Sequence, residues 1–60
     1  MKKWFKIEFF DSVYHSTVNH RISYVERQYI SCNQAIAMAE RMAKNIAGCN
    51  GWKVTILFKL

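Results

Sequence analysis

SCNQAIAMAERMAKNIAG, residues 31–48, carries the one helical periodicity in the chain, and its position between strand-like segments decides the fold. Ser31-Cys32-Asn33-Gln34 fits a capping box, with Ser31 as the N-cap and Gln34 reaching back from the third helical position. Five alanines between residues 34 and 47 favour the helical state. At 100° per residue, Ala35, Ile36, Met38, Ala39, Met42, Ala43, Ile46 and Ala47 fill one half of the wheel. The other half holds Asn33, Gln34, Glu40, Arg41, Lys44 and Asn45, with Ala37 among them. Gly48 stands where a left-handed C′ residue ends a helix, so the spacing predicts a helix over residues 32–47.

Working outward, Asn50-Gly51 predicts a turn. Trp52, Val54, Ile56, Phe58 and Leu60 then alternate with Lys53, Thr55, Leu57 and Lys59, which predicts a strand over residues 52–59. Upstream, residues 22–30 hold Tyr24, Val25, Tyr29 and Ile30, all strand-favouring types. Their alternation is imperfect, and a bulge near Glu26 reconciles the two halves. Residues 11–21, with Asp, Asn, Ser and His, predict a long hairpin loop. In residues 3–10, Phe5, Ile7 and Phe9 alternate with Lys6, Glu8 and Phe10. Aromatics on both faces make this the central strand.

The expected fold is a single α+β domain over residues 1–60 with ββαβ topology. Its sheet is three-stranded and antiparallel, in the order 2-1-3. One helix covers only one face. That face takes Phe5, Ile7, Phe9, Val54, Ile56 and Phe58 against Ile36, Ala39, Ala43 and Ile46. The uncovered face is expected to carry Trp4, Lys6, Glu8 and Phe10, then Val25, Arg27 and Tyr29, then Lys53, Thr55, Leu57 and Lys59.

Composition narrows the function. The 60 residues are 52% apolar and 15% aromatic, with no proline and a net charge of +5. Disordered and low-complexity classes are poorer in large apolar residues. Two cysteines do not make a disulfide scaffold. A chain this short buries only about 60% of its unfolded surface, leaving little core to shape a deep pocket. Met1-Lys2-Lys3 resembles the start of a signal peptide, but Lys6, Glu8 and Asp11 break the apolar stretch that follows, and no segment is long enough to span a membrane. A cytoplasmic protein with reduced thiols is expected.

No catalytic motif is present. Glu8, Asp11, Glu26 and Glu40 do not pair by spacing, and a phosphate-binding glycine loop needs more than two glycines. His15 and His20 have the spacing of half a zinc finger. Cys32 and Cys49 do not supply the other half. They bracket the expected helix, about 25 Å apart at 1.5 Å per residue, too far for a disulfide or a shared metal. The expected protein is therefore non-enzymatic and binds neither cofactor nor metal.

The candidate binding residues are Trp4, Lys6, Phe10, Arg27, Tyr29, Lys53, Leu57 and Lys59, all on the expected uncovered face. An exposed apolar patch usually marks a protein contact, which makes self-association or a protein partner the leading expectation. The alternative is single-stranded nucleic acid. Bases would stack on Trp4, Phe10 and Tyr29, and phosphates would meet Lys6, Arg27, Lys53 and Lys59. The plain alternative to both is a solvated face whose charge serves solubility.

The hairpin, the Ser31-capped helix with its A-x-x-x-A-E-R-x-A run from Ala35 to Ala43, the Asn50-Gly51 turn and the closing strand together resemble small uncharacterised accessory proteins of lambda-like bacteriophages and prophages. The resemblance covers residues 22–60 and lies in layout and length. It implies an enterobacterial phage or prophage origin, a cytoplasmic setting and a non-enzymatic role in binding a host protein.

Overall fold

A computed structural model of the chain describes residues 1–11 and 20–58. Strand β1 is Lys3–Asp11, β2 is His20–Tyr29, helix α1 is Cys32–Ala43 and β3 is Gly51–Leu57. The sheet order is β2-β1-β3, and both pairings are antiparallel. This is the small α+β domain with ββαβ layout that the periodicity predicts. Most of the expected loop, residues 12–19, lies outside the described residues.

The central strand owes its place to its alternation. Phe5, Ile7 and Phe9 are 1%, 0% and 1% exposed, and each of these large side chains contributes roughly 1.5–3 kcal/mol when removed from water. Ala35 and Ala39 of α1 are fully buried above them. Their small side chains let the helix backbone approach the sheet, which it contacts mainly over β3. Val25, Tyr29, Met42, Ala43, Ile46, Cys49, Trp52 and Val54 close around this centre. Three residues expected inside are not: Ile36 is 38% exposed, Ile56 40% and Phe58 89%. Phe58 lies one residue past β3, beyond the reach of the helix.

The helix begins as its cap predicts. Ser31 is extended, and its Oγ accepts the Gln34 N–H at 3.2 Å. The Gln34 Oε1 accepts instead from the backbone N–H of Ile30, at 2.7 Å, one residue before the cap. The end differs from the expectation. α1 stops at Ala43, not Ala47. The chain then unwinds through i→i+3 bonds, Asn45 N–H to Met42 O at 3.0 Å and Ile46 N–H to Ala43 O at 3.2 Å. This looser coil still delivers Ile46 to the core, and Gly48 leaves it with φ +80°. Gly48 is thus the left-handed residue its position predicts, whereas the turn expected at Asn50-Gly51 is absent and Gly51 is already the first residue of β3. Asn50 ties this approach to β1: its N–H donates to Phe10 O at 2.9 Å and its Nδ2 to Asp11 Oδ1 at 3.1 Å.

Candidate interaction face

In an antiparallel ladder, residues directly opposite share a face. Phe5 stands between Arg27 and Ile56, Ile7 between Val25 and Val54, and Phe9 between Ser23 and Trp52. These residues form the helix-covered face. The uncovered face follows from the other pairs: Trp4 between Gln28 and Leu57, Lys6 between Glu26 and Thr55, Glu8 between Tyr24 and Lys53, and Phe10 between Arg21 and Gly51.

Five of the eight candidate residues are therefore brought together as expected: Trp4, Lys6, Phe10, Lys53 and Leu57. Arg27 and Tyr29 are not. They lie on the helix side with Val25, where Tyr29 packs on the core and its ring centroid sits 6.2 Å from that of Phe5. Lys59 falls outside the described residues.

The correction has one cause. The irregularity in β2 is not near Glu26. It lies beside the hairpin, where Phe9 pairs with Ser23 and Phe10 with Arg21, so Ile22 is the extra residue. From Ser23 onward the parity is unbroken and puts Val25, Arg27 and Tyr29 on the helix side, where Val25 and Tyr29 pack on the core and Arg27 stays exposed. The alternation Val25-Glu26-Arg27-Gln28-Tyr29 puts Val25 and Tyr29 on one face, two steps of two apart, but does not say which face meets the helix.

The same shift brings Tyr24 and Arg21 onto the uncovered face. Tyr24 is half exposed and has two cations over its ring, Lys6 Nζ at 4.9 Å and Arg21 Cζ at 4.8 Å from the centroid. Such contacts contribute about 0.5–1 kcal/mol at exposed sites. Arg21 Nη1 also donates to Glu8 Oε2 at 3.2 Å. The face thus mixes Lys6, Arg21 and Lys53 with Glu8 and Glu26, three cations against two carboxylates. Trp4, Phe10 and Leu57 are half-buried between them.

Elsewhere, a shallow cleft of about 220 Å³ lies past the helix end, lined by Glu40, Lys44, Cys49, Asn50 and Trp52 among others. Small-molecule sites run to about 300–1,000 Å³. Cys32 is exposed at the helix start, and Cys49 is half-buried, its Sγ donating to Gly51 O at 3.2 Å. Among the described residues, no three His, Cys, Asp or Glu side chains gather as a metal set. His15 and the side chain of His20 lie outside them. No described helix is long and apolar enough to cross a membrane. The chain matches no protein-family model, no curated protein and no solved structure.

Proposed function

We propose that this is a non-enzymatic interaction module of the cytoplasm, of the phage or prophage accessory type, and that it associates with a second copy of itself through the uncovered sheet face. One observation carries the reading: this face exposes Tyr24 and half-exposes Trp4, Phe10 and Leu57, while its charges are of both signs. Apolar groups set among opposite charges can meet their own image about a two-fold axis, the commonest oligomer symmetry. The layout resemblance supports the phage assignment, and the cytoplasmic one is consistent with there being no membrane-spanning helix among the described residues.

The carboxylates of Glu8 and Glu26 make the face a poorer platform for a polyanion than a basic one would be. Tyr29, a required stacking ring in that alternative, is turned to the core.

Sedimentation across a concentration series tests the reading. Tyr24→Asp changes an exposed side chain, and circular dichroism checks that the fold is kept. The variant is expected to weaken association through the face at least tenfold, whereas Lys53→Ala leaves it unchanged. An unchanged mass for Tyr24→Asp overturns association through this face. Salt-sensitive quenching of tryptophan fluorescence by single-stranded oligonucleotides, lost in a Lys6→Ala, Lys53→Ala double variant, puts nucleic acid in its place.

A further inference from the structure

The two edges of the sheet are built differently. β2 carries Arg21, Glu26 and Arg27, and its bulge at Ile22 disrupts the ladder. Charges and bulges of this kind prevent edge-to-edge pairing. β3 has neither. Its seven residues, Gly51–Leu57, pair with β1 without a register shift and include one charge, Lys53. Among the described residues, no strand pairs with its outer side. Exposed apolar side chains cluster at its far end in sequence, Ile56 at 40% and Phe58 at 89%.

An unpaired row of backbone N–H and C=O groups is completed by another strand. We propose that the occupant is β3 of a second copy, paired antiparallel about a two-fold axis at Thr55. This contact is separate from the one on the uncovered face.

The sequence of β3 is complementary to its own reverse in that register. Val54 comes opposite Ile56 of the second copy and Trp52 opposite its Phe58, all on the helix side. Lys53 comes opposite Leu57 on the other side. The most exposed aromatic ring among the described residues thus gains an aromatic partner. The two Lys53 charges end four residues apart along the pair, ~13 Å at about 3.3 Å per residue. That exceeds the screening length of about 8 Å at physiological salt. An axis at Lys53 would set the like charges face to face. The product is a continuous six-stranded sheet with both helices on one side and the two uncovered faces joined on the other.

Cross-linking tests the register. In a Cys32→Ser, Cys49→Ser background, Thr55→Cys is oxidised with diamide at micromolar protein. The expected product is a disulfide dimer on a non-reducing gel. Lys53→Cys and Leu57→Cys are each expected to cross-link poorly alone and efficiently when mixed. Phe58→Glu, at a position too exposed to disturb the fold, is expected to weaken the edge contact at least tenfold by sedimentation. No Thr55→Cys dimer, or full association in Phe58→Glu, overturns the proposal. Adding Tyr24→Asp separates the two contacts. The Thr55→Cys dimer forms with or without Tyr24→Asp wherever the edge contact exists, so its absence reports failure of the edge reading alone, and an unchanged mass in Tyr24→Asp reports failure of the face reading alone.

Discussion

Gly48 and Gly51 stand three positions apart and do different work. Gly48 has φ +80°, and an added Cβ would meet nothing within 4 Å. Its need is conformational, since a left-handed backbone costs a residue with a Cβ about 1–2 kcal/mol. Gly51 has equal room and no positive φ. Gly48→Ala is therefore expected to lower stability by about 1 kcal/mol, and Gly51→Ala to leave it unchanged or raise it slightly. Urea midpoints of the two variants check this. An equal loss at both would place the need in space, not in backbone conformation. The sequence marked Gly48 as the left-handed residue, as found, but ran the helix up to it, because the true helix end depends on where Ile46 must reach.

At the scale of the element, α1 is held by its cap and by two alanines. Ser31→Ala removes the acceptor for the Gln34 N–H and is expected to cost about 1 kcal/mol, with Ser31→Asp restoring most of it. Thermal melts followed by circular dichroism at 222 nm measure both. Cap and amphipathic face were legible because they depend on neighbours within four residues. The early end of the helix at Ala43 was not. Nothing between Lys44 and Ala47 forbids a helix locally, and the i→i+3 coil there is set by the path to β3. β2 shows the same division. Its residue types announce a strand, but its facing depends on one inserted residue, Ile22, whose position the ladder with β1 determines. Arg27 and Tyr29 were misplaced for that reason, and Tyr24 was missed.

For the whole molecule, the relevant magnitude is the small core. Five described residues are fully buried, and a chain below about 70–80 residues rarely draws more than 3–5 kcal/mol from its core. Ile7 lies at the centre with no exposure. Ile7→Ala is expected to cost about 2–5 kcal/mol, comparable with the entire stability. The isolated variant should therefore be largely unfolded at 25 °C, as read by near-ultraviolet circular dichroism and the urea midpoint. A cooperative transition with the wild-type midpoint would mean that the core does not control the fold.

Sequence by itself determined the number and order of the elements, the central place of β1 and the identity of its inward side chains. Period-two and period-3.6 patterns report which face is apolar, and Phe5, Ile7 and Phe9 leave β1 no choice. It also determined the cap at Ser31. The parity of β2, the end of α1 and the pairing of charges on the uncovered face were decided by tertiary structure. Each depends on contacts between residues far apart in the chain: Phe9 with Ser23, Asn50 with Phe10, Arg21 with Glu8. A bulge of one residue exchanges the two faces of a strand without altering its composition, so only the partner strand can settle which side chains meet the core.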